Sequence, residues 1–290
     1  MKFALFGNTF QSDKSAHVRH CVETLRKHGN RIAVDGLFMR FLQKKVGLNF
    51  TPDEVIDSDC FTADMVLSMG GDGTFLETAR RVGAKAIPIL GVNTGRLGFL
   101  ADSENGTIEE TVRALCEGRY NVEQRSVLAV TSEGDTIQGY PFALNDIAVL
   151  KRDNSSMIAI RMEVDGQPMN TYQADGLIIS TPTGSTGYAM SVGGPIMDPQ
   201  RATVGITPVA PHSLNVRPVV LRDDIAIDLK VISRTHHYLL SVDGRSEVMN
   251  EATALKIRKA NYTIGIVRVS GLSFFDTLRH KLSWGTDPRN

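Results

Sequence analysis

The hydrophobic period of this chain changes once, near Tyr120, and that change limits the folds open to it more than any other feature. Before it, short apolar runs alternate with stretches of helical spacing. Lys2 to Phe6 reads as a strand ending in the turn Gly7-Asn8-Thr9. Val18, Cys21, Val22 and Leu25 then fall at i, i+3, i+4 and i+7, which predicts an amphipathic helix from Ser15 to His28, stopped by Gly29. Arg31 to Val34 reads as a second strand and Phe38 to Val46 as a second helix. Met65 to Met69, a helix carrying Phe75, Ala79 and Val82, and Ile87 to Val92 form a strand–helix–strand unit, and Ile108, Val112 and Leu115 mark a further helix closed by Gly118. Such alternation calls for a parallel sheet covered by helices, with ligands at the carboxyl ends of its strands.

After Tyr120 the period is two. Ile158, Ile160, Met162 and Val164 alternate with Ala159, Arg161, Glu163 and Asp165, and Asp165-Gly166 is a hairpin signal. Ile225, Ile227, Leu229 and Val231 repeat the pattern, and Asp243-Gly244 supplies a second turn. Helical spacing returns at Phe274, Leu278 and Leu282. The expected fold is an α/β N-terminal domain with a Rossmann-like parallel sheet, a mostly β C-terminal domain and a C-terminal helical tail. The expected boundaries are 1–120, 121–272 and 273–290, the tail packing back on the first domain.

Charge narrows the partners. The 290 residues hold 32 Lys plus Arg against 32 Asp plus Glu, so no global basic field attracts nucleic acid or a membrane, and an anionic ligand must be held locally. Cys21, Cys60 and Cys116 lie far apart without metal-type spacing, which suits idle thiols in a reducing cytoplasm. The opening Met1 to Phe6 is too soon broken by Gly7 to be a signal peptide, and no apolar run approaches the roughly 18 residues of a membrane helix. The expected location is cytoplasmic.

One stretch carries the strongest chemical signal. Met69-Gly70-Gly71-Asp72-Gly73-Thr74 sits between a strand and a helix, where glycines let backbone N–H groups approach an anion and the helix dipole favours negative charge. A carboxylate inside such a cradle repels a phosphate unless it holds a metal ion or takes a proton from a nucleophile. Taken alone, Gly-Asp-Gly is equally good turn chemistry.

Other stretches sharpen the choice. The loop Asn93-Thr94-Gly95-Arg96-Leu97-Gly98-Phe99-Leu100 follows another strand and offers donors, a lone arginine and a phenyl ring. Asn145 and Asp146 stand side by side in an apolar run, costly to bury unless both find partners, although they could simply cap a turn. From Gln173 and Asp175 a strand Leu177 to Ser180 leads into a hydroxyl- and glycine-rich loop, Thr181 to Tyr188, followed by Ser191-Val192-Gly193-Gly194-Pro195. Hydroxyls, exposed N–H groups and a ring match what a nucleoside needs. His212 and Arg217 are weaker candidates for the same pocket, and His236-His237 have no partner at zinc-ligand spacing, so no metal ligands are assigned.

Taken in order, these motifs resemble the NAD kinase family. Gly70 to Thr74 is similar to its glycine–aspartate motif, Asn93 to Leu100 to the following loop, Asn145-Asp146 to its asparagine–aspartate pair, Asp175 through Pro195 to its long hydroxyl- and glycine-rich segment, and Leu278 to Trp284 to its ending. The resemblance implies phosphorylation of the adenosine ribose 2′-hydroxyl of NAD to give NADP, with ATP or another phosphoryl donor and a divalent metal, Mg²⁺ by preference. It also implies a site between the two domains and a homodimer or homotetramer. Carried over by position, the proton acceptor falls on Asp72, and dinucleotide contacts fall on Asp72, Gly73, Phe99, Asn145, Asp146, Gln173, Asp175, Thr186, Gly187, Tyr188, Ala189, Met190, Ser191 and Ala210. Gln173 stands where some bacterial members carry a basic residue, and Gly187 where many carry alanine.

Two other functions share parts of this pattern. A lipid or sugar kinase with the same glycine–aspartate loop would need an acyl pocket or a sugar-phosphate clamp, which the segment Thr183 to Ser191 does not suggest. A dinucleotide-binding regulator would keep the pocket but have no use for Asp72.

Overall fold

The computed structural model describes residues 1–9, 15–48, 50–93, 98–101, 107–152, 156–269, 271 and 273–285, leaving aside the side chains of residues 15 and 16. Two compact units emerge: Met1–Gln124 together with Ile264–Asn290, and Arg125–Thr263. No helix among the described residues is long and apolar enough to cross a membrane.

The first unit is built from β1 (Lys2–Gly7), α1 (Ser15–Lys27), β2 (Arg31–Asp35), α2 (Gly36–Phe41), β3 (Glu54–Ile56), β4 (Met65–Met69), α3 (Asp72–Val82), β5 (Ile89–Val92) and α4 (Ile108–Cys116). β1 pairs in parallel with β2 and β4, β2 with β3, and β4 with β5. Parallel strands are covered on both faces, so their sequences are apolar throughout, and all five residues of β4 are buried. Helices α1, α2 and α4 close the core with Leu25, Phe38, Met39, Val112 and Leu115 against Phe3, Ile32, Met65 and Leu90. Thr107 and Glu110 form a capping box at the start of α4, each side chain satisfying the other's backbone N–H.

Two details differ from the sequence reading. The second helix is α2 continued by a π-helical turn, Leu42–Val46, and it stops at Gly47 with φ +67°. β3 was not expected: three residues with one buried side chain have no periodicity to read.

The second unit contains β6 (Asn121–Glu133, its first residues in the first unit), β7 (Phe142–Ala143), β8 (Asp146–Lys151), β9 (Ile158–Val164), β10 (Gln167–Ala174), β11 (Gly176–Ser180), α5 (Tyr188–Ser191), β12 (Thr203–Val209), β13 (Val219–Arg222), β14 (Ile227–Ile232), β15 (His237–Val242) and β16 (Arg245–Asn250). β17 (Ala254–Arg268) begins here and ends in the first unit, where Ile266 pairs in parallel with Ile89 of β5, and α6 (Phe274–Leu282) follows. One antiparallel sheet runs β13-β12-β11-β8-β15-β16, and the strands β10, β9, β14 and β17 pair antiparallel in that order.

Both sets of strands feed one core. Ile147, Val149, Leu177, Ile179, Tyr238 and Leu240 pack with Ile158, Ile160, Met162, Ile227, Leu229 and Ile257. On the opposite face of the first sheet, Ala148 and Ile178 are covered by Ala189 of α5. Burial on both faces explains why β8 and β11 read as continuous apolar runs, whereas β9 and β14 alternate. Asp165-Gly166 and Asp243-Gly244 take φ values of +50°, +75°, +48° and +78°, which is the type I′ geometry of two-residue hairpins. The strand expected from Ile225 begins at Ile227, and Ile225 is still buried.

Candidate functional site

In the first unit the carboxyl ends of three parallel strands are in register. Gly7 pairs with Met69 and Met69 with Val92, so β1, β4 and β5 end at one edge. Asn8 N donates to Met69 O at 3.1 Å and Gly70 N to Val92 O at 3.0 Å, closing the edge behind the glycines. Gly71 is the N-cap of α3 and Asp72 its first residue. A side chain at Gly70 would meet the Thr74 hydroxyl at 2.3 Å, but at Gly71 or Gly73 it would meet nothing within 4 Å among the described residues, which leave the cradle open above those two.

Among the described residues, Asp72 is held by backbone amides. Its Oδ2 accepts from Phe99 N at 2.9 Å and its Oδ1 from Leu100 N at 3.1 Å. Arg268 donates to the carbonyls of the same segment, to Ala101 O at 3.3 Å and to Leu100 O and Phe99 O at 3.5 Å each, while its Nε pairs with Glu123 Oε2 at 3.2 Å. Lys281 of α6 lies 5.0 Å from the centre of the Phe99 ring. Asp72, Gly73 and Phe99 are thus brought together. Arg96, with Thr94, Gly95 and Leu97, lies outside the described residues.

In the second unit the expected residues divide into two clusters. Asn145 and Asp146 enter β8 at the end where Asp146 pairs with Ser180. A Cβ at Gly184 would sit 2.0 Å from Asn145 O, so glycine there lets the segment after β11 lie against the pair, whereas one at Gly187 would make ordinary contact with Asn145 Nδ2 at 3.4 Å and Asp146 Oδ2 at 3.9 Å. That segment is not the loop expected from its composition. Thr183–Thr186 form a 3₁₀ turn and Tyr188–Ser191 form α5, and the hydroxyls of Thr186 and Ser191 donate locally, to Thr183 O at 3.3 Å and Tyr188 O at 2.8 Å. Ala189 is buried, Met190 half-buried and Tyr188 40% exposed.

Gln173, Asp175 and Ala210 form the second cluster, at the other end of β11. Asp175 N donates to Val209 O at 3.0 Å, its carboxylate pairs with Lys151 Nζ at 2.8 Å, and His212 N donates to Gln173 O at 2.9 Å. Four strand steps, about 14 Å, separate this end from Asp146. Arg217 donates to carbonyls of its own loop, Leu214 and Val216. His236 pairs with the Glu251 carboxylate across the β15–β16 hairpin, a partner its sequence neighbourhood did not show.

Among the expected site residues, Asp146 is the one whose pKa is strongly displaced. It is 6% exposed, and burial, reinforced by the neighbouring Asp243 carboxylate, pushes its pKa up to about 7. Asp243 is itself raised by burial, against the pull of the backbone N–H groups of Leu144, Asn145 and Asp146 and of Arg245. The Oδ1 of Asn145 is buried and has no hydrogen-bond partner among the described residues. A buried amide oxygen without a donor among the described residues, next to an acid raised to about 7, can accept hydrogen bonds from hydroxyl donors.

The chain has close relatives. Residues 4–120 match the family described as ATP-NAD kinase N-terminal domain, and residues 144–269 the family described as ATP-NAD kinase C-terminal domain. An NAD kinase of Bacteroides fragilis is 55% identical over 289 residues, with 100% of both chains covered, and one of Porphyromonas gingivalis is 40% identical over 288 residues, with 99% of both covered. Among solved structures, an NAD kinase from Archaeoglobus fulgidus in complex with ATP superposes with a TM-score of 0.74 at 26% identity, covering 98% of this chain and 99% of that one. Yeast NADH kinase complexed with NADH gives a TM-score of 0.87 at 20% identity, over 99% of this chain and 89% of that one, a likeness that speaks for the fold. Fold and matches together place the chain among the nucleotide-dependent kinases. It belongs to the NAD kinase family, and its reaction is the phosphorylation of NAD to NADP using ATP.

Proposed function

We propose that Asp72 is the proton acceptor of this reaction. NADP differs from NAD by a phosphate on the 2′-oxygen of the adenosine ribose, a weak nucleophile whose attack on phosphorus is mostly a matter of positioning and charge neutralisation. As the new O–P bond forms and the bond from the γ-phosphorus to the bridging oxygen of ADP breaks, the hydroxyl proton passes to the carboxylate. The observation that carries this reading is the holding of Asp72 by two backbone amides under an open glycine cradle. One lone pair of each oxygen fixes the carboxylate and the other remains to take a proton.

Asn145 and Asp146 are assigned to the ribose hydroxyls, the Tyr188 ring to base stacking, and Gly73, Phe99, Thr186, Gly187, Ala189, Met190 and Ser191 to the dinucleotide surface. Gln173, Asp175 and Ala210 are assigned to the same ligand on the family resemblance alone. The two compact units are proposed to be the functional domains. No three His, Cys, Asp or Glu side chains gather as a cation cage among the described residues, so no protein ligand set for a metal is assigned. A divalent ion fits as part of the donor substrate, bound to ATP phosphates and water. Free cysteines suit a cytoplasmic location, and apolar side chains exposed at Leu214, Val220 and Val248 support a homodimer or homotetramer.

The test is Asp72→Asn with ATP, Mg²⁺ and NAD. A variant that keeps its circular dichroism and thermal midpoint should lose at least about 100-fold in kcat. Near wild-type kcat would rule out a base at this position. Binding of NAD with no NADP formed under any donor by the unaltered protein would favour a dinucleotide-binding regulator instead.

A further inference from the structure

Two residues distant in sequence account for every backbone polar group of Leu144, Asn145 and Asp146. The Asp243 carboxylate accepts from Leu144 N at 2.9 Å, Asn145 N at 2.8 Å and Asp146 N at 3.1 Å, and Asp243 N donates to Asp146 O at 3.0 Å. On the other side Thr181 donates through its hydroxyl to Leu144 O at 2.6 Å and through its N–H to Asn145 O at 2.9 Å. Three convergent N–H groups form a nest for one anion, and here the anion is a side chain of the protein.

The nest is expensive to fill. Asp243 sits at a left-handed φ of +48°, and its charge faces Asp146 across a poorly solvated space. A hairpin that needed only a turn could use asparagine or glycine here at lower cost. What the carboxylate supplies is a fixed backbone at 144–146, so that the Asn145 amide and the Asp146 carboxylate project in one orientation, with Asn145 Oδ1 lacking a partner among the described residues.

We propose that Asp243 is a positioning residue for the acceptor dinucleotide: by gathering the N–H groups of residues 144–146 it fixes the Asn145–Asp146 pair in the geometry that receives the ribose hydroxyls. The inference rests on the reading of Asn145 and Asp146 as ribose contacts. Asp243 touches the scaffold of the pair and acts through it, so removing its charge should weaken NAD binding without altering donor binding.

The test combines three variants. Asp243→Asn keeps the shape and tolerates the left-handed backbone, yet its NH₂ group cannot accept from the nest. It should raise KM for NAD about tenfold or more while KM for ATP stays within about twofold. The acid limb of kcat/KM for NAD should also move to lower pH, because Asp146 loses the neighbouring negative charge while its burial is unchanged. Arg245 and the hydrogen-bonded phenols of Tyr140 and Tyr262, the other titratable groups in the field of Asp243, remain in place. Asp243→Gly, which also accepts positive φ, repeats the measurement with no side chain. Asn145→Ala is the reference, and combining it with Asp243→Asn should give less than the product of the two single effects. If Asn145→Ala leaves NAD affinity unchanged, the ribose reading fails. If it weakens NAD and the Asp243 variants do not, or if neither Asp243 variant folds, the positioning role is overturned and the ribose reading stands.

Discussion

The Oδ2 of Asp72 lies 2.9 Å from the backbone nitrogen of Phe99, 27 residues further along the chain. Gly98 makes that approach possible, because a Cβ there would fall 1.7 Å from Asp72 Oδ1. Gly98→Ala must therefore displace either the carboxylate or the amides that hold it. The expected result is a loss in kcat of about 100-fold or more with little change in the thermal midpoint. Steady-state NADP formation checks it, and a kcat within twofold of the parent would show that Asp72 needs no such fixing.

Arg268 should matter to turnover without touching a substrate. Its planar guanidinium reaches the carbonyls of Phe99, Leu100 and Ala101 at once, which a lysine ammonium cannot do. Arg268→Lys is expected to lower kcat roughly 5- to 20-fold and leave KM for NAD within about twofold. An unchanged kcat would mean that the segment keeps its place without the clamp.

The raised pKa of Asp146 makes a statement about stability. A folded-state pKa above the unfolded one stabilises the native protein fully below the usual carboxylate pKa, and the gain is lost as pH rises through about 7. Asp146→Asn removes that loss. Relative to the parent, its free energy of unfolding should be about 2 kcal/mol larger, that is, more stabilising, at about pH 8 than at about pH 5.5. Urea titrations at the two pH values measure this, and equal differences would show that the acid is not elevated.

Tyr188, 40% exposed as a residue, places its ring at the start of a four-residue helix. Base stacking on such a ring is typically worth 1–3 kcal/mol, so Tyr188→Ala should raise KM for NAD roughly tenfold, and Tyr188→Phe should keep the parent value. Loss of affinity in the phenylalanine variant would assign the work to the hydroxyl.

Much of this architecture is legible in residue order, because its causes are local. Helix α1 follows from Val18, Cys21, Val22 and Leu25, the type I′ turns from Asp165-Gly166 and Asp243-Gly244, and the open cradle from the glycines flanking Asp72. Each involves residues within one turn or one strand of each other, so spacing and side-chain type suffice. Composition misled at residues 183–191, where hydroxyls that look available to a ligand donate to carbonyls three residues back.

Residue order is enough to place the longer periodic strands and helices and the acid in the glycine turn, since period and turn chemistry act between near neighbours, but not β3 or the helical turns of residues 183–191. Tertiary structure alone decided that Phe99 and Leu100 hold Asp72, that Asp243 gathers an N–H group 99 residues away, and that Asp175 and Asp146 stand at opposite ends of β11. Only folding brings such partners within hydrogen-bond distance and removes the water that would otherwise level their charges, which is why the shift of Asp146 has no trace in the order of residues.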